Sequence, residues 1–172
     1  MDLSKYIRDI PDFPKKGILY KDITTLLMNK EAFSNVIQRF YNRHKDNHIS
    51  QVVGIEARGF IFAACLANKL GCGFIPIRKP NKLPYTTYNQ EYKLEYGKDS
   101  IEIHIDAIKK NENILIVDDV LATGGTVMAA INLLKNFECN IIECLFLLEI
   151  SSLGGVSKIL DKDLKCFSLI QS

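Results

Sequence analysis

The sequence predicts an α/β domain built on a mostly parallel, twisted sheet with helices on both faces. Three observations lead there. Short apolar runs recur at Gln51–Ile55, Phe74–Ile77, Ile101–Ile105, Ile114–Val117 and Ile141–Leu148, continuous rather than alternating, as in strands covered on both sides. Segments of helical period stand between them. Interleaving of the two is the pattern of a parallel sheet crossed over by helices, and such sheets bind ligands beyond the carboxyl ends of their strands.

The helices follow from spacing. Phe33, Val36, Ile37, Phe40 and Tyr41 recur on one helical face, and Val127, Ala130, Ile131 and Leu134 repeat the pattern. Gly59 to Leu70 is apolar nearly all round, which predicts a deeply buried helix. The first thirty residues, with Pro11 and Pro14, have little periodicity and read as a cap over the body. Residues 78–105 hold Pro80 and Pro84 and few core candidates up to Ser100, the pattern of a lid. Within them Tyr92, Leu94 and Tyr96 alternate with Lys93 and Glu95, and Ile101, Ile103 and Ile105 alternate after Gly97, which predicts a β-hairpin arm. Tyr85, Tyr88, Tyr92 and Tyr96 also fit a helical stripe, although Gly97 and the prolines weigh against it.

Composition bounds the rest. A chain of 172 residues, 47% hydrophobic and 24% charged, suits one domain spanning 1–172 and excludes a disordered chain. A net charge of +2 is too small for a nucleic-acid partner, so any bound anion is held by a local arrangement. Met1 to Tyr6 lacks the apolar core of a signal peptide. Ile141 to Ile150 is interrupted by Glu143 and Glu149 and is too short to span a bilayer. A cytoplasmic protein with no membrane partner is expected. The five cysteines form no C-x-x-C pair and read as reduced structural thiols. His44, His48 and His104 lack metal-ligand spacing: His104 reads as a strand residue, the other two as surface groups at helix ends.

The strongest chemical signal runs from Ile114 to Thr126, ILIVDDVLATGGT. Four apolar residues end in two carboxylates, Asp118 and Asp119, where a buried strand is expected to leave the sheet. Ala122, Thr123, Gly124, Gly125 and Thr126 then form a turn that feeds a helix N-terminus, whose unpaired N–H groups attract an anion. Glycine allows positive φ and close approach of a phosphate. Two carboxylates would repel a bare phosphate, so the ligand should also offer donors such as ribose hydroxyls. The run is neither a Walker A loop nor G-x-G-x-x-G.

This run resembles the phosphoribosyl pyrophosphate (PRPP) signature of the type I phosphoribosyltransferases. The resemblance implies that Asp118 and Asp119 bind the ribose hydroxyls and that Ala122–Thr126 hold the 5′-phosphate. It implies that family's fold, with a small N-terminal hood (1–30) and a flexible catalytic lid (78–105).

Three further segments are similar to the adenine-specific members. Asp12 to Thr24 resembles the base-covering segment, which implies that Tyr20 stacks on the purine and that Leu19 offers backbone contacts to its edge. Here Tyr20 stands where phenylalanine is commoner, and Lys21 where arginine is. Val53 to Phe62 resembles the pyrophosphate loop, implying Ala57 and Arg58 as pyrophosphate contacts, Arg58 near the base, and a cis peptide between Glu56 and Arg58. By itself an arginine beside glycine is equally a structural turn. Arg78, Lys79 and Lys82 are implied pyrophosphate ligands, Arg78 serving the neighbouring subunit of a homodimer; unaided, they are equally a solvated charge run. LEYGK at 94–98 resembles the catalytic loop, which implies that Glu95 transfers a proton at the purine. From position alone Glu95 is an ordinary surface glutamate. Asn81 stands where glycine is commoner, and both tolerate left-handed backbone.

The implied activity is purine salvage: adenine and PRPP give AMP and pyrophosphate. Mg²⁺ is expected to arrive chelated by the substrate, with no metal ligand from the protein. Another purine (hypoxanthine, guanine or xanthine) and a non-catalytic PRPP-sensing regulator remain as alternatives.

Overall fold

The computed structural model describes residues 1–93 and 98–172. Five strands form one parallel sheet in the order β4-β3-β7-β8-β9: β3 (Gln51–Ile55), β4 (Gly73–Ile77), β7 (Asn113–Leu121), β8 (Asn140–Glu149) and β9 (Cys166–Gln171). Two antiparallel hairpins stand apart from it: β1 (Arg8–Pro11) with β2 (Leu19–Asp22), and β5 (Thr87–Lys93) with β6 (Lys98–His104).

Strand residues alternate between two cores. Val52, Leu115, Val117, Leu145 and Leu147 face one side, under α1 (Thr24–Met28), α2 (Lys30–His44) and α3 (Gly59–Leu70). Val53, Ile114, Ile116, Cys144 and Phe146 face the other, under α4 (Gly125–Leu134), α5 (Gly155–Leu160) and the second hairpin. Both faces are covered, which explains the continuous apolar runs. Gly54 lets α3 sit close, since a Cβ there would lie 2.7 Å from that of Ala63.

Four expectations change. The C-terminal strand β9 and the first hairpin have no counterpart in the sequence reading. Helix α3 buries one face, through Phe62, Ala63, Leu66 and Ala67, and leaves Ile61 37% exposed. Ile101–Ile105, expected as a strand of the parallel sheet, instead falls on the antiparallel β5–β6 hairpin, where Ile101 and Ile103 are buried because that hairpin packs across α4. His44 is not a surface group. Its ring is buried with Nε2 3.0 Å from Glu143, which also takes two bonds from Arg43 at 2.5 and 2.7 Å. The expected β-hairpin is present, but β6 already includes Asp99 and Ser100, which pair with Tyr92 and Glu91, and Arg78 ties the hairpin to β4 by a backbone bridge to Glu102. The five cysteines are free thiols.

Candidate active site

The candidate site lies at the carboxyl end of the parallel sheet. β7 runs on to Leu121 rather than ending at the acids: Asp118 pairs with Phe146 and Val120 with Leu148 on β8. On its other side pairing with β3 stops at Val117. Losing that neighbour opens the sheet at the acids while the strand stays anchored.

Asp118 and Ala122 to Thr126 line one hollow, with Val120 and Phe146 in its wall. Of the two glycines, Gly124 takes φ +79° and Gly125 opens α4. The first amides of that helix have no partners within it, so the turn presents donors to an anion. The turn is also held from behind. A Cβ on Gly124 would lie 3.1 Å from the carbonyl oxygen of Gly155, and Lys158 Nζ donates to the Thr123 carbonyl at 2.8 Å. Neither Gly155 nor Lys158 was legible in the sequence.

The acids have distinct surroundings. Gly59 seats the start of α3 against Asp118, since a Cβ there would meet its Oδ1 at 2.8 Å. Burial first, then the neighbouring Asp119 charge, pushes the Asp118 carboxyl well above its ordinary value. The Asp119 N–H donates to Asp118 Oδ1 at 2.9 Å. Asp119 is 6% exposed and pairs with Arg58, Nε to Oδ2 at 2.6 Å. That approach lies off the hydrogen-bond direction, so Oδ2 has charge contact but no aligned donor. A ribose hydroxyl would supply one.

Arg58 reaches the hood as well. Its Nη1 donates to the Tyr20 hydroxyl at 2.5 Å, and its Cζ lies 5.1 Å from the centre of the Tyr20 ring. Phe13 packs against that ring at 5.1 Å with a steep interplanar angle. Leu19 is 47% exposed beside Tyr20 on β2, paired with Pro11. Lys21 keeps a partner, Asp9 Oδ1, at 2.9 Å.

The expected cis peptide lies between Glu56 and Ala57. Glu56 organises the basic cluster. Its carboxylate pairs with Arg78 Nε at 3.2 Å and accepts the Lys79 N–H at 2.9 Å. Burial works to raise its pKa, but the Lys79 N–H and the Arg78 guanidinium outweigh it and hold the carboxyl low. Arg78 also donates to the Lys82 carbonyl, and Asn81 takes φ +63°. The Lys79 ammonium is spent on the hairpin, bonding Asp99 and Tyr92, and the Lys82 side chain is exposed. Arg58 therefore stands beside Asp119, next in the chain to Ala57, whereas Lys79 faces the hairpin. Glu95 lies outside the described residues. Among the described residues, no group of three or more His, Cys, Asp or Glu could hold a metal ion.

The family model for the phosphoribosyl transferase domain matches residues 22–172. The adenine phosphoribosyltransferase of Geobacter metallireducens is 52% identical over 169 residues, 98% of each chain. The chain belongs to the adenine phosphoribosyltransferase family. Its fold follows that of the Thermoanaerobacter pseudethanolicus member with a TM-score of 0.94 and 44% identity, covering 99% of this chain and 98% of that one. The Saccharomyces cerevisiae member, 37% identical with a TM-score of 0.91 over 98% and 96% of the two chains, was solved with an imino-altritol bisphosphate and adenine.

Proposed function

We propose that the protein transfers the 5-phosphoribosyl group from PRPP to adenine in purine salvage, releasing AMP and pyrophosphate. One observation carries the reading: the amide-rich turn, the Asp118–Asp119 pair and the Tyr20–Arg58 pair converge at one end of the sheet.

An imidazole nitrogen of adenine bonds to the anomeric carbon as the bond from that carbon to pyrophosphate breaks, and the nitrogen's proton leaves to Glu95. Positive charge develops on the ribose, as in glycoside chemistry. Asp118 and Asp119 accept bonds from the ribose hydroxyls close to that charge. The turn at 122–126 holds the 5′-phosphate, Tyr20 stacks on the base, and Leu19 meets its edge. Ala57, Arg58, Arg78, Lys79 and Lys82 serve the departing pyrophosphate; for Lys79 this requires leaving Asp99. Mg²⁺ chelated by PRPP would supply charge neutralisation at the pyrophosphate.

Arg78 is read as serving a second copy in a homodimer. A cytoplasmic location goes with the free thiols. Among the described residues no helix is long and apolar enough to cross a membrane.

The test is product analysis with purified protein, Mg²⁺, PRPP and one purine at a time. AMP and pyrophosphate from adenine, with little product from hypoxanthine, guanine or xanthine, is the expected result. A preference for another purine would overturn the specificity, and the absence of any nucleotide would overturn the transferase.

A further inference from the structure

Arg58 stands where the base and sugar halves of the site meet. One edge of its guanidinium is 2.6 Å from Asp119 Oδ2, and the other donates to the Tyr20 hydroxyl at 2.5 Å. Its Cζ lies over the Tyr20 ring, 5.1 Å from the centre. A purine stacking on Tyr20 competes for that ring, and the pyrophosphate of PRPP, which Arg58 serves in the reading above, competes for the guanidinium.

We propose that the Tyr20 hydroxyl latches Arg58 across the base site, making Tyr20 a positioning residue as well as a stacking surface. The proposal rests on the transferase reading above and extends it to how the two substrates affect each other. Phenylalanine at this position keeps the ring and lacks the latch.

The consequence is thermodynamic. Base and sugar phosphate both favour the released arrangement of Arg58, so each strengthens the binding of the other, reciprocally. While the latch holds, the affinity of either ligand alone is reduced by the fraction of protein that is released. Removing the hydroxyl therefore tightens binding of each ligand alone and weakens their coupling. A hydrogen bond from a charged donor, partly open to solvent, sets the change at about tenfold.

The test is calorimetric titration of wild type and Tyr20→Phe with 9-deazaadenine, with and without saturating Mg²⁺-PRPP. This probe has carbon in place of the attacking nitrogen, so no turnover occurs. Tyr20→Phe should bind 9-deazaadenine alone about tenfold more tightly than wild type, and the gain from PRPP should fall by a similar factor. Equal or weaker binding in the variant, with undiminished coupling, would overturn the latch, since a hydroxyl that contacts the base or merely supports the hood gives that result. If PRPP binds neither protein, the transferase reading fails, and the latch with it.

Discussion

Gly155→Ala tests whether the phosphate turn depends on the chain behind it. Gly155 opens α5 directly against the turn. A Cβ there would lie 2.9 Å from Leu121 Cδ1 and closer still to the Ala122 carbonyl oxygen. Carbon and carbonyl oxygen keep about 3.3–3.6 Å apart, so the Ala122 end of the turn must retreat by about an ångström. A displacement of about that size costs on the order of 100-fold where geometry carries the rate. Gly154→Ala is the control: its φ of +68° makes a side chain strained, but nothing lies within 4 Å of the added carbon. Left-handed strain of about 1–2 kcal/mol lowers the melting temperature by about 2–8 °C in a chain of this size without moving the turn. Steady-state kinetics with varied PRPP, run beside thermal denaturation, separates the two. Gly155→Ala should lose about 100-fold in kcat/KM for PRPP, and Gly154→Ala should lose stability but little of that value. Equal kinetic losses in both, or near-normal kcat/KM in Gly155→Ala, would refute the reasoning.

Three other outcomes are expected. Glu95→Gln should lower kcat by about 10²–10⁴-fold with sugar-phosphate affinity nearly unchanged, measured by turnover beside PRPP titration. Lys158→Met should raise KM for PRPP by about two- to fivefold, the scale of one exposed charge-assisted bond, and Lys158→Arg should restore it. Burial would raise the Glu143 carboxyl, but bonds from Arg43 and His44 hold it at about 2, against an ordinary 4.5. Its contribution to stability is complete above about 4.5 and is lost as pH falls through about 2. Denaturant titrations at stepped pH should show wild type losing stability across that window more steeply than Glu143→Gln.

The parallel sheet was legible because its strands are buried on both faces and read as unbroken apolar runs. β9 was not. Cys166–Gln171 is an edge strand in which only Ile170 is buried, so it carries no such run. β1 and β2 are four residues each and are tied partly by the Arg8–Asp22 and Lys21–Asp9 ion pairs, which no hydrophobic period announces. The phosphate turn was legible because its parts are contiguous. Arg58 meeting both Tyr20 and Asp119, and Lys158 meeting Thr123, join distant segments that only the tertiary fold brings together. His44 misled because a helix-end histidine is commonly solvated, and its partner Glu143 sits on a strand nearly a hundred residues away.

Amide chemical shifts of the ¹⁵N-labelled protein, followed as AMP is added, test the central claim most directly. The account predicts the largest changes at Asp118, Asp119 and residues 122–126, with Tyr20 and Arg58 following in the same titration. Changes centred instead on the hollow around Lys135, Cys139 and Leu164, with 122–126 undisturbed, would contradict it.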